Sequence, residues 1–563
     1  SGIFISGNTG GTITLSGAKT VSSGANPAVT LTNNTGATIN FTGGGLDIDT
    51  ISGAGFSATG GGTVNVTGTG NTIVSTTGTA LHVANTNIGA SGLTFQSISA
   101  GTGAGSGGVG ISLDSTGLAG SNGGLTVTGT GTPGSGGTIQ HKTGADNSTT
   151  AGIGIFLKDT KNPSFSWMQL NDFDNSAIVG RNVQGFTLQN SVINGVIGNS
   201  TAPVEGPINF GITNPGGTNG LQGTGLIHNV KISGGIEHNV EFYNQSGSMN
   251  LTIDGTNPVS EGANPNIPGD DTADCIIEEN SVAGGADGVQ IEMQGTATAT
   301  IVINRCLFRD NKSQPVQIAA NDSSSATVTI NESWTRKFDQ GNEGFILSNG
   351  SNGNLTTMIS NNHINTHDGT GIFVGQTPGN ATSSSALNAT ISGNVMTRLA
   401  SATNHGITAF LTSTVGQISQ ARVRLDGNNV TNNSTSGTTR GILVDTPDAS
   451  TSPAFHATAT SNTVSVGDNV AGVAGLVAQA RQSSDGCANI GANTVTFPNG
   501  TPGGVFGLRA RQVAPATYDL EQSAGCTGAA AAVLGCRNPA STTEVLGTLT
   551  VVGAGTCLLP ATP

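Results

Sequence analysis

Asn362, Asn394, Asn428, Asn462 and Asn493 recur in closely similar surroundings, at spacings of 32, 34, 34 and 31 residues. The flanking segments are Ile359-Ser-Asn-Asn-His-Ile364, Ile391-Ser-Gly-Asn-Val-Met396, Leu425-Asp-Gly-Asn-Asn-Val430, Ala459-Thr-Ser-Asn-Thr-Val464 and Ile490-Gly-Ala-Asn-Thr-Val495. Upstream, Asn280, Cys306 and Ser333 occupy the same slot at shorter spacings of 26, 27 and 29. A unit of this length is a supersecondary element that cannot bury its own inner side chains. It becomes stable only by stacking on its neighbours.

Each unit also carries a strand opened by Gly, as in Gly371-Ile-Phe-Val374 and Gly441-Ile-Leu-Val444. An alternating strand precedes the Asn, as in Ala326-Thr-Val-Thr-Ile330 and Ala421-Arg-Val-Arg-Leu425. Alternation of this kind sends one set of side chains inward and the other outward. Two or three strands per repeat, joined by Gly, Asn, Ser and Thr, predict long parallel sheets around a narrow aliphatic core. The aligned Asn then sits at a sharp turn, where its amide bonds to the Asn of the next coil and tolerates a left-handed backbone.

Composition fits this picture. The chain has 563 residues, 88 of them Gly, with 9% charged and 4% aromatic residues, against roughly a quarter charged in an ordinary globular domain. Gly follows no three-residue period, which excludes collagen. Regular Val, Ile and Leu exclude a disordered polyampholyte, and no apolar run is long enough to span a membrane as a helix. The abundance of Gly, Ser, Thr and Asn excludes an all-helical fold.

The repeat resembles that of bacterial right-handed parallel β-helix proteins, the pectate-lyase-like solenoids of secreted or surface-displayed type. The N-terminal half resembles them too, through Val29-Thr-Leu-Thr-Asn33, Ala37-Thr-Ile-Asn-Phe41, Gly62-Thr-Val-Asn-Val66 and Gly92-Leu-Thr-Phe95. The expected fold is all-β, a single-stranded right-handed parallel β-helix of roughly twenty coils. Residues 1–499 form the repeats and 500–563 a C-terminal capping or subunit-docking segment. Loop insertions are expected at 197–225 and 254–272, where the strand pattern fails.

The formal net charge of -14, with no basic residue between Lys19 and Lys142, excludes a nucleic-acid partner. Six cysteines without a CxxC motif read as three disulfides. Their spacing allows Cys526 with Cys536, Cys487 with Cys557 and Cys275 with Cys306, while six buried thiols in a cytosolic protein is the alternative. A sequence beginning at Ser1 without Met or signal peptide is a processed form or a fragment. Disulfides and a neutral, hydroxyl- and amide-rich surface place the chain outside the cell or on its surface.

Candidate chemistry is sparse. Asp254 to Glu292 holds nine carboxylates and no Lys or Arg. Within it Asp270, Asp271 and Asp274 are the candidate ligands for a structural Ca²⁺, against a solvated acidic loop. His363 and His367, near Asp368, read as a surface pair across a turn. Asp172 and Asp174 read as solvent-exposed on one outward face. Trp167 and Trp334 could stack on a sugar or cover a coil edge. Arg509 and Arg511 are expected to pair with Asp519 and Glu521. The family's hydrolases need paired Asp with GHG and RIK elements, and its lyases a Ca²⁺-binding carboxylate cluster with a basic residue. Here Asn404-His405-Gly406 and Arg422-Val-Arg424 stand alone.

No catalytic residues or cofactor are therefore assigned. The expected function is a non-enzymatic extracellular structural protein, a surface fibre or sheath subunit that associates head to tail. The alternatives are an adhesin for surface glycans and a polysaccharide lyase or hydrolase.

Overall fold

The computed structural model describes residues 2–148, 150–200, 205–211, 219–262, 271–278, 287–336, 344–367, 369–377, 385–398, 404–410, 420–434, 439–446, 454–467, 473–500 and 506–563. The chain divides into two compact units. One is Ser1–Thr256 with Asp274–Gln290, and the other Asn257–Ala273 with Ile291–Pro563. In both, short strands pair in parallel with the equivalent strands of neighbouring coils. Among the described residues the three sheets take 18, 18 and 17 strands. They form a parallel β-solenoid with 17 to 18 described coils, against the roughly twenty expected.

In the first unit, inward positions stack in register. Leu81, Ile111, Ile155, Ile178, Ile208 and Val240 form one such column, and every member is fully buried. Each side chain of this size contributes roughly 1.5–3 kcal/mol by leaving water. A second column ends in aromatic rings, with Phe210 stacked on Phe242 at 5.1 Å. Corners bring backbone against backbone. At Gly234 (φ +86°) a Cβ would lie 1.8 Å from the carbonyl oxygen of Gly195, so only glycine fits there.

In the second unit, Ile330, Ile359, Ile391, Leu425, Ala459 and Ile490 form a like column on another of the three sheets. Just after it, one corner repeats with a fixed grammar. Arg305, Glu332, Asn361, Gly393, Gly427, Ser461 and Ala492 all have left-handed φ, between 49° and 64°. Each directly precedes the residue in the aligned slot. The expectation that the aligned Asn itself takes the left-handed conformation is thus corrected: the residue before it turns the corner, which leaves the Asn side chain free to point inward.

The closing segment keeps the coil pattern beyond residue 500. The strand Phe506–Gln512 pairs with Ala474–Ala480, and Thr517–Glu521 with Asp485–Gly491. The departure from the repeat is the helix Ala530–Arg537, which Cys526–Cys536 anchors. Cys557 is bonded to Cys487, and the last residues lie over the same unit, with Leu558 N–H donating to His456 and Ala561 N–H to Asn388. In the insertion regions, the strand Gly206–Phe210 rejoins the sheet within 197–225. Within 254–272, Ser260 and Thr272 bridge antiparallel.

Candidate functional site

The five aligned asparagines are buried and joined in a ladder. Asn428 illustrates the unit. Its Oδ1 accepts from the backbone N–H of Asn394 (3.2 Å) and from Asn394 Nδ2 (2.9 Å). Its Nδ2 donates to the carbonyl of Ile391 (2.8 Å) and to Asn462 Oδ1 (3.0 Å). All its polar capacity is used, as a buried amide requires. The same bonds recur from Asn362 to Asn493. Ser333 continues the ladder upstream, its N–H donating to Asn362 Oδ1 and its hydroxyl accepting from the Cys306 N–H. Asn280 lies outside the described residues. Downstream, Asn538 at the end of the helix accepts from both N and Nδ2 of Asn493. Its separation of 45 residues from Asn493 hid it from the repeat spacing.

Four carboxylates of the acidic stretch meet partners from outside it. Glu278 meets Lys231 at 2.6 Å, Asp254 meets His228 at 2.6 Å, and Asp271 and Glu261 both meet Arg336, at 2.8 and 2.7 Å. Asp271 is thus committed to a guanidinium. Asp274 is half-buried ahead of the strand Cys275–Glu278. Asp270, Glu279 and Asp368 lie outside the described residues. Among the described residues, no group of three His, Cys, Asp or Glu side chains is arranged to hold a metal ion. No described cysteine is free, and Cys275 and Cys306 are each in a disulfide.

Other expectations are corrected in detail. His363 and His367 lie on one strand, not across a turn. The His363 ring stacks on Trp334 at 4.4 Å, and Arg336 sits 5.2 Å from the same indole. Asp172 has left-handed φ, and its carboxylate accepts from Val196 N–H, while that of Asp174 accepts from Gly144 N–H. They tie turns together. Arg509 pairs with Glu544, its register neighbour in the strand Thr543–Leu546, rather than with Asp519 or Glu521.

A cavity of about 620 Å³ opens on the outward face of one sheet of the first unit. Its floor is made by the strands Leu81–Ala84, Val109–Asp114, Ile153–Lys158 and Ser176–Arg181. Their register sets His82, Ser112, Phe156 and Val179 in one row and Ala84, Asp114, Lys158 and Arg181 in the next. On earlier strands of this sheet the outward rows are Thr30 with Ser57 and Thr32 with Thr59. Here they turn apolar and charged. Val109, Ile153, Phe156 and Val179 form a buried cluster on what would otherwise be a solvated face.

Lys158 Nζ lies 3.3 Å from Asp114 Oδ1. Arg181 is only 7% exposed. Its Nη1 donates to the carbonyls of Gly180 (2.7 Å) and Asn209 (3.2 Å), whereas Nε and Nη2 are buried without a hydrogen-bond partner. Burial lowers its pKa to about 10, opposed by Glu241, so it stays cationic at neutral pH. Burial also lowers that of His82, opposed by Asp114. No protein-family model, curated protein or solved structure matches this chain. The cavity's chemistry is read from its own side chains.

The repeat pattern does not reveal this cavity, because Phe156, Lys158 and Arg181 occupy outward slots of strands that are otherwise ordinary. The available signal is the sequence Ile153-Gly-Ile-Phe-Leu-Lys158 followed by Ser176-Ala-Ile-Val-Gly-Arg181. Two consecutive strands there place an apolar residue and a cation outward where Thr and Ser are the rule.

Proposed function

We propose that this chain is a non-enzymatic structural protein of the cell exterior, a subunit of a surface fibre or sheath, built on a β-helix of the right-handed pectate-lyase-like type. The observation that carries the reading is the asparagine ladder. A buried amide is fully bonded at each of five successive coils and is closed by Asn538. This arrangement invests the repeat in cohesion between coils.

One further feature supports it. The disulfides Cys487–Cys557 and Cys526–Cys536 secure the closing segment and suit a non-reducing compartment. Electron microscopy of the native material, supported by light scattering across concentrations, tests the assembly.

A further inference from the structure

We propose that the cavity of the first unit is a binding site for a small neutral aromatic alcohol of the phenol class. Its ring lies against Phe156 and Val109, and its hydroxyl is held by His82 and Ser112. This reading goes beyond the structural role and does not depend on it.

Charge bears on the class of ligand first, because the charged groups at and behind the cavity cancel. Lys158 is paired with Asp114 at 3.3 Å. Arg181 is opposed by Glu241, and Asn209 links the two: Arg181 Nη1 donates to the Asn209 carbonyl, and Asn209 Nδ2 donates to Glu241. Two cations thus stand against two carboxylates. The unbonded nitrogens of Arg181 have almost no accessible surface and offer a ligand nothing. An ion entering this apolar space would lose hydration and find no unmatched counter-charge. A neutral molecule meets no such cost.

The uncharged polar groups then set the ligand's function. His82 and Ser112 both line the cavity and are register partners on adjacent strands. Among the described residues, neither side chain has a hydrogen-bond partner. Burial lowers the His82 pKa against the pull of Asp114, so at neutral pH the ring offers one donor and one acceptor, as a hydroxyl does. A single atom that both donates and accepts answers this pair, and a hydroxyl is that group. Phe156 follows Ser112 in the same row, one strand spacing away, about 4.8 Å. That short step suits a ring bearing its hydroxyl directly rather than on a long arm. Phe156 and Val109 belong to the apolar cluster of this face and line the cavity, where an aromatic ring packs edge-on or offset against Phe156. The volume of about 620 Å³ lies within the roughly 300–1,000 Å³ of small-molecule sites, which are mostly apolar with a few convergent polar groups.

The test uses the full chain at neutral pH and fluorine NMR titration with p-fluorophenol, p-fluoroanisole, p-fluorobenzoate and p-fluorobenzylamine. The phenol is expected to bind at least about tenfold more tightly than the anisole, which keeps the ring and loses the donor, a difference of about 1.4 kcal/mol. It should exceed the anion and the cation by at least as much. A His82→Leu, Ser112→Ala double variant should weaken phenol binding by at least about tenfold and leave the anisole unchanged, whereas Phe156→Ala should weaken both. If the variants do not fold, the comparison of the four ligands on the unaltered chain decides. No binding of the phenol, equal binding of phenol and anisole, tighter binding of either ion, or unchanged phenol binding by a folded double variant would overturn the proposal.

Discussion

The Asn428 side chain makes three hydrogen bonds to the preceding coil and one to the following coil, at no more than 3.2 Å. Replacing it with Ala strands the Asn394 N–H and amide and the Ile391 carbonyl, all in the preceding coil, in a buried site. Asn428→Ala should therefore destabilise the second unit by about 2–4 kcal/mol. Asn428→Asp should be no better, since a carboxylate cannot donate to Ile391 O or Asn462 Oδ1. Urea denaturation monitored by circular dichroism measures both.

Two histidines set the response to acid. Nδ1 of His238 accepts from the Asp287 N–H, and Nδ1 of His405 from the Arg440 N–H, so both rings are held neutral. Burial lowers both to about 4, and for His405 Arg440 and Arg398 add to the effect. The unfolded chain takes up these protons near pH 6.5 and the folded chain only near 4, so stability falls as pH drops through that window. Each histidine withdraws up to about 3 kcal/mol. Glu237, raised to about 7 by burial and by Glu205, acts in the opposite sense and offsets part of the loss. Melting temperature should decline from pH 6.5 to 4, and a His238→Asn, His405→Asn double variant should show a visibly shallower decline.

At the scale of the corner element, seven successive units of the second half place one left-handed residue before the ladder residue. Gly393 and Gly427 adopt that conformation without cost, while Ala492 has a Cβ that disfavours it by about 1–2 kcal/mol. Part of the gain from glycine is lost to the entropy of its unfolded chain. Ala492→Gly should still stabilise the protein, by about 0.5–1 kcal/mol in thermal or urea unfolding, although it adds glycine to a chain already rich in it.

The corner also shows what a sequence can convey about such a fold. Strand positions and the ladder from Asn362 to Asn493 are legible because each coil repeats the same local problem, with an inward aliphatic residue, a turn and a buried amide. Asn538 is not legible, because an inserted helix and its disulfide lengthen the last step. The pairing of Asp271 with Arg336 is also hidden, since residues 65 apart meet only through the insertion before Asp274. The cavity is the extreme case. Lys158, Arg181 and Phe156 acquire meaning only once the coils place them side by side.

For the whole molecule, the composition follows from the repeat. A narrow stacked core has room for Val, Ile, Leu and occasional Phe, and the tight corners need residues that tolerate left-handed backbone. Outward rows of Thr, Ser and Asn keep most of the surface neutral. Against that background the charges occur as local pairs, such as Arg305 with Glu332 and Arg481 with Asp445. Isolated exposed pairs like the first contribute little to stability, so the burden of cohesion falls on stacked side chains and coil-to-coil hydrogen bonds.

Electron microscopy of the native material, joined to fibre diffraction, bears most directly on the structural role. Filaments with a spacing of about 4.8 Å between coils along their length are the expected result. Dispersed single particles at every concentration, with a mass by light scattering equal to one chain, would contradict it.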